Sequence, residues 1–155
     1  MRIHSAISTD AAVIHDVMIQ AFMVYKNETP PSSALEETVQ SIADAMRTGE
    51  NALIAYEENE PVGMVRFQLT EEGLYFFRLS VLPDKQGKGI AKMMLKTLED
   101  RAKEQGMPAM LCKVRMAVAK NIQLYKSIGY RICEEESIQR PNGVTLPIML
   151  MKKVL

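Results

Sequence analysis

Leu79-Ser80-Val81-Leu82-Pro83-Asp84-Lys85-Gln86-Gly87-Lys88-Gly89-Ile90-Ala91 decides how this chain is read. An apolar strand ends in a proline turn and passes through two glycines into a segment of helical spacing. The first backbone N–H groups of a helix lack intrahelical partners, and the aligned peptide dipoles add partial positive charge there. Such a place suits an anion, and a pyrophosphate fits it. Gly87 and Gly89 carry no side chain that would hold phosphate oxygens away, Ala91 leaves room in the first helical turn, and Lys88 adds charge at the rim.

Spacing separates the phosphate loops that compete for this stretch. A dinucleotide fingerprint needs a glycine three residues after its second glycine, where this chain has Lys92, and no acidic residue follows at the end of a second strand about 20 residues on. A nucleoside-triphosphate loop needs Gly-Lys-Ser/Thr, but Gly87-Lys88 is followed by Gly89. For the segment taken alone, a plain tight turn before an amphipathic helix stays open as well.

Upstream, Met1 to Ala6 reads as a strand, and Thr9 or Asp10 caps a helix to about Phe22 with Val13, Val17 and Ala21 on one face. Asn27 to Ser33 is a loop, Ser33 caps a second helix to about Thr48, and Gly49 ends it. Three strands follow at Asn51–Tyr56, Val62–Leu69 and Leu74–Leu82, separated by turns at Glu57–Pro61 and Glu71–Gly73. Downstream of Gly89, Ile90, Met93, Met94, Thr97, Leu98 and Ala102 recur at helical spacing until Gly106-Met107-Pro108. A strand at Ala109–Val114, a helix at Val118–Ile128 closed by Gly129, and strands at Tyr130–Glu135 and Leu146–Lys152 complete the order, with Asn142-Gly143 turning into the last. The expected fold is a single α/β (α+β) domain over residues 1–155, with a mixed, mostly antiparallel central sheet flanked by helices.

Lysine plus arginine and aspartate plus glutamate number 19 each, so no global field draws the chain to nucleic acid or an anionic membrane. The apolar runs are strand-sized, short of the roughly 20 residues that span a bilayer, and the N-terminus lacks a basic segment followed by an apolar one. A soluble, cytoplasmic protein without nucleic-acid or membrane partners is expected. His4 and His15 have no cluster of partner ligands, so no metal site is expected. Cys112 and Cys133 are read as reduced core thiols, and Met93, Met94, Met110, Met149 and Met151 as core filling.

Two motifs give the chain a family resemblance. Gln86-Gly87-Lys88-Gly89-Ile90-Ala91 resembles the central Gln/Arg-x-x-Gly-x-Gly/Ala signature of the GNAT acetyltransferase superfamily. Asn121, Leu124-Tyr125-Lys126 and Gly129-Tyr130 resemble its next signature, in order and spacing. The resemblance implies an N-acetyltransferase that moves an acetyl group from acetyl-CoA to an amine acceptor by direct attack. Backbone groups of Leu79, Ser80 and Val81 would hold the pantetheine arm and polarise the thioester carbonyl. Amides of Gln86, Gly87, Lys88, Gly89, Ile90 and Ala91 would bind the pyrophosphate, and Asn121 would face the arm. Tyr125 would lie near the sulfur as the general acid, because a phenol holds its proton at neutral pH.

The chain departs from the family pattern twice. Val118 stands where many members have a further asparagine, and Tyr75-Phe76-Phe77-Arg78 offers no carboxylate where many place a general base. Glu28, Glu36, Glu72 and Asp84 are then candidate bases through a water, and Tyr25, Glu28, Pro30 and Arg140 to Val144 are where acceptor choice is sought. Glu28, Glu36 and Glu37 offer an acidic face to a cationic amine. A monomer or a homodimer fits this reading, and the alternative function is a non-catalytic acyl-CoA sensor.

Overall fold

The computed structural model describes residues 1–25, 32–115, 119–139, 143 and 145–155, with only the backbone of Tyr25 and Ala119. Its strands are β1 (Arg2–Ser5), β2 (Asn51–Glu57), β3 (Glu60–Thr70), β4 (Gly73–Val81), β5 (Ala109–Arg115), β6 (Arg131–Gln139) and β7 (Thr145–Val154). Its helices are α1 (Ala11–Phe22), α2 (Val39–Arg47), α3 (Ile90–Glu104) and α4 (Ala119–Ser127). The seven strands follow the order β1-β2-β3-β4-β5-β7-β6. Among the pairings with a described register, β4 and β5 run parallel, while β1·β2, β2·β3, β5·β7 and β6·β7 are antiparallel. The mixed, mostly antiparallel sheet with helices is the expected fold class.

Contacts divide the chain into two compact units: Met1–Gln68 with Phe76–Leu98, and Leu69–Tyr75 with Glu99–Leu155. In the first, Ile14, Val17 and Met18 of α1 pack with Ile42 and Ala43 of α2 on Ala52 and Ile54 of β2 and Met64 of β3. Side chains alternate across a strand, so Gly63 faces the opposite way from Met64. A Cβ on Gly63 would meet Met94 Cε at 2.9 Å and Ile90 Cγ2 at 3.2 Å, which shows the start of α3 seated directly on β3. Apolar residues cover this part of the sheet on both faces.

The helix expected over Ser33–Thr48 is broken. Ser33–Glu36 forms a 3-10 turn whose Ala34 N–H is accepted by Ser32 Oγ at 3.2 Å, so Ser32 rather than Ser33 is the cap. Glu37 and Thr38 are extended, and α2 begins only at Val39. Thr38 Oγ1 accepts from Ser41 N at 3.0 Å while Ser41 Oγ accepts from Thr38 N at 2.9 Å, a reciprocal cap that starts a new helix. The first hairpin is also tighter than expected. Glu58 and Asn59 take the positive φ values of the turn, and Pro61 lies within β3 at a register shift opposite Tyr56.

In the second unit, Cys133 is exposed rather than a core thiol. Ile132 pairs with Met151 and Glu134 with Leu150, so Cys133 is the unpaired extra residue of a bulge, where the alternation of inward and outward side chains fails. β6 itself continues past Glu135 to Gln139. Met94, Met110 and Met151 are buried as expected, but Met93 is 44% exposed and Leu95 takes the inward position on α3. The expected Asn142-Gly143 turn lies largely outside the described residues, as does Val118.

The first unit takes charged side chains into its interior. Arg66 of β3 is 3% exposed. Its Nε donates to Glu50 Oε2 at 2.7 Å, Nη2 to Glu50 Oε1 at 3.1 Å and Nη1 to Glu37 Oε1 at 2.7 Å. Burial opposes the charge, but the two carboxylates outweigh it and hold the guanidinium above its ordinary pKa. Arg66→Met strands Glu50 in the interior and is expected to cost about 3–5 kcal/mol in urea unfolding. Arg66→Met with Glu50→Gln should cost less than Arg66→Met alone, because the uncompensated carboxylate is gone.

Candidate functional site

Leu79, Ser80 and Val81 form the end of β4, in the first unit. Ser80 and Val81 are buried and Leu79 half-buried. Just before them Arg78 adopts φ +55, a left-handed conformation that a non-glycine residue rarely takes within a strand. Ser80 Oγ donates to the Arg78 carbonyl at 2.8 Å. After the irregular stretch, Leu82 N–H rejoins Val62 O at 2.9 Å.

Pro83–Lys85 then makes one 3-10 turn, and Gln86 Nε2 donates back to Val81 O at 3.3 Å, closing the loop on the strand it left. Gly87 and Gly89 have φ +81 and +82. These values require glycine, and a Cβ on either would meet nothing within 4 Å. The loop therefore presents bare backbone to open space. Gly89 O accepts the first described bond of α3, from Met93 N at 3.0 Å, so the first-turn N–H groups of this helix have no intrahelical acceptor. Ile90 is buried on β3 and fixes the helix start, while Ala91 is half-buried. Lys88 is exposed. Lys85 Nζ pairs with Glu57 Oε1 at 3.1 Å, lowering the Glu57 pKa and raising that of Lys85, and the charge of Lys88 adds to the effect on Glu57. Bare amides, a helix start and a lysine at the rim fit a diphosphate.

Asn121 and Tyr125 lie on α4, in the second unit, one helical turn apart on the same face. Asn121 is half-buried and Tyr125 is 6% exposed. The chain turns back sharply after them. Gly129 has φ +102, and Tyr125 O accepts from both Ile128 N at 3.2 Å and Tyr130 N at 3.0 Å. That reversal lays the Tyr130 ring against Tyr125, with centroids 5.7 Å apart. The Gly129-Tyr130 pair of the motif thus packs the tyrosine of α4 in place. Burial pushes the Tyr130 hydroxyl pKa up, with Cys112, Glu99 and Tyr125 adding to it.

Glu37 is the residue that sequence reasoning placed wrongly. Its carboxylate is no free part of an acidic face, because Oε1 accepts from Arg66 Nη1 at 2.7 Å and Oε2 from Arg78 Nε at 2.9 Å. Arg78 Nη2 also donates to Ser33 Oγ at 3.0 Å. No periodicity signals contacts between residues 41 and 45 positions apart. Glu28, Pro30, Arg140 to Asn142 and Val144 lie outside the described residues, as does the side chain of Tyr25. Glu36, Glu72 and Asp84 are accounted for as residues of a 3-10 turn, a hairpin turn and a second 3-10 turn. Among the described residues, no three His, Cys, Asp or Glu side chains gather as a metal site, and no helix is long and apolar enough to cross a membrane.

The fold and the loop together define a class by shape: a mixed α/β domain in which strand β4 passes through a glycine loop into α3. The chain belongs to the GNAT acetyltransferase family, whose model matches residues 15–130. Acetyl-CoA is the acyl donor of that family. Solved structures share the fold at low identity. The ribosomal-protein-S18-alanine N-acetyltransferase of Escherichia coli is 18% identical with TM-score 0.79, covering 99% of this chain and 92% of that one. The PaiA N-acetyltransferase of Thermoplasma acidophilum, in complex with coenzyme A, is 15% identical with TM-score 0.79, covering 100% of both chains. A Bacillus subtilis (strain 168) protein provisionally described as an acetyltransferase is 30% identical over 84 residues, 54% of this chain. The match spans about half of that curated relative, 55% of its length.

The two thiols separate cleanly. Burial pushes Cys112 up to about 12, so at neutral pH it is a protonated thiol with no thiolate to act as an acyl carrier. In a thiol titration with a disulfide reagent, the native protein should react once, at exposed Cys133, and the unfolded protein twice. Rapid reaction of Cys112 in the native protein would contradict its burial.

Proposed function

We propose that the protein is an N-acetyltransferase that moves the acetyl group of acetyl-CoA to a primary amine of a small molecule or a protein. The observation that carries this reading is the cradle at Gly87 and Gly89, where left-handed glycines open the start of α3. In this reading the amides of Gln86, Gly87, Lys88, Gly89, Ile90 and Ala91 bind the diphosphate of the donor. The backbone of Leu79, Ser80 and Val81 holds its pantetheine arm and polarises the thioester carbonyl, and Asn121 contacts the arm.

A neutral amine attacks the carbonyl carbon directly, forming the amide bond as the carbon–sulfur bond breaks. Tyr125 gives its hydroxyl proton to the departing sulfur, and the attacking nitrogen releases a proton to water or to a base of the acceptor. No covalent intermediate on the enzyme is needed, in keeping with the protonated state of Cys112. One domain over residues 1–155, acting in the cytoplasm as a monomer or homodimer, belongs to the same reading. A second reading, a non-catalytic acyl-CoA sensor, is favoured by one observation: Glu37, a carboxylate brought to β4, is engaged by two arginines.

Calorimetric titration of acetyl-CoA into the protein, followed by thiol release with a panel of amines, tests both. Micromolar binding with turnover supports the enzyme, binding without turnover on any amine supports the sensor, and a folded protein that binds neither acetyl-CoA nor CoA refutes both. Tyr125→Phe is expected to lower kcat about 100-fold with a much smaller change in the KM for acetyl-CoA. An unchanged kcat would remove Tyr125 from the role of proton donor.

A further inference from the structure

We infer that Arg78 is a positioning residue: clamped by Glu37 and Ser33, it holds the left-handed backbone that sets Leu79, Ser80 and Val81 for the arm of the acyl donor. The inference rests on the reading of those three residues given above. Its starting point is the left-handed Arg78, φ +55, the one residue other than glycine so placed within a described strand. A conformation of this kind persists only where its surroundings over-determine it.

The surroundings do so from both ends of the residue. On the side-chain end, Nε donates to Glu37 Oε2 at 2.9 Å and Nη2 to Ser33 Oγ at 3.0 Å, so the guanidinium is held along two directions. Glu37 is itself fixed, because its other oxygen takes a 2.7 Å bond from Arg66, which is buried and forked onto Glu50. The Glu37 backbone is fixed too, its carbonyl lying 3.0 Å from His15 Nε2 of α1. On the main-chain end, the Arg78 carbonyl accepts from Ser80 Oγ at 2.8 Å, and Ser80 is 2% exposed. The backbone from Leu79 to Val81 therefore runs between a clamped residue and the regular bond of Leu82 N to Val62 O. Its N–H and C=O directions follow from the orientation of Arg78.

The same contacts explain why the chain is extended at Glu37 and Thr38 instead of helical. A continuous helix from Ser33 would carry Glu37 away from the two guanidinium groups it joins. The segment before α2 thereby controls the conformation of the strand that ends at the donor loop.

Two ligands separate positioning from a merely structural role. Acetyl-CoA carries the pantetheine arm; 3′-phosphoadenosine 5′-diphosphate carries the nucleotide and diphosphate without it. Arg78→Ala is expected to weaken acetyl-CoA about tenfold in calorimetry while changing the affinity for the diphosphate fragment less than about twofold. Arg78→Lys, which keeps the charge but not the fork, should recover part of the loss, and Glu37→Gln should give an intermediate one. Should Arg78→Ala fail to fold, Arg78→Gly takes the left-handed conformation without strain, lacks the clamp and is expected to show the same selective loss. Equal weakening of both ligands, or no weakening of either, would overturn the inference while leaving the proposed function in place. A wild-type protein that binds neither ligand would overturn the proposed function, and this inference with it.

Discussion

A guanidinium cannot be taken out of water without partners, and the buried charge of Arg66 therefore dictates much of its unit. Two carboxylates must reach it, one from Glu50 after α2 and one from Glu37 before α2. The helix is thus pinned at both flanks by the same residue of β3. Phe77 adds a ring 5.1 Å from the guanidinium carbon, so the charge is bounded by acceptors and by an aromatic face. Polar contacts of this directionality fix a unique arrangement, where apolar packing of Ile14, Met18 and Ile42 alone tolerates small shifts.

The consequence reaches the candidate site through short links. Glu37, held by Arg66, holds Arg78, and Arg78 leads into Leu79–Val81 and the loop that follows. From there, Gln86 ties the loop to Val81, and Gly63 lets the start of α3 sit on β3. Rigid strands and a seated helix thus support a loop whose own residues are exposed glycine and lysine. A loop with few side-chain contacts of its own needs such a frame to present its amides in one geometry.

In the second unit, an analogous role falls to backbone geometry. Gly129 reverses the chain so that Tyr130 packs on Tyr125, and Lys153 Nζ, 2.7 Å from Glu99 Oε1, neutralises a carboxylate at the buried side of α3. β5 is flanked by the antiparallel β7 along its whole length, from Ala109 opposite Val154 to Arg115 opposite Ile148. The final strand is therefore an interior member of the sheet, and β6, which precedes it, is the edge.

Local signals made most elements legible in the sequence. The period of apolar residues gave α1, α3 and α4, and Gly49, Gly106 and Gly129 marked turns that require left-handed backbone. The loop at Gln86–Ala91 and the Asn121–Tyr130 segment were readable because their glycines, amide and tyrosine sit at fixed short spacings. Where an outcome depended on distant partners, the same signals failed. The break at Glu37 and Thr38 follows from Arg66 and Arg78, 29 and 41 residues away from Glu37, and the exposure of Cys133 from a bulge set by its pairing with β7. Sequence by itself determined most of the elements and the glycine loop that leads into α3, because both arise within a few residues of backbone. Only the tertiary structure decided which charges meet, since a buried ion pair forms between residues that the folded chain, not the local sequence, brings within 3 Å.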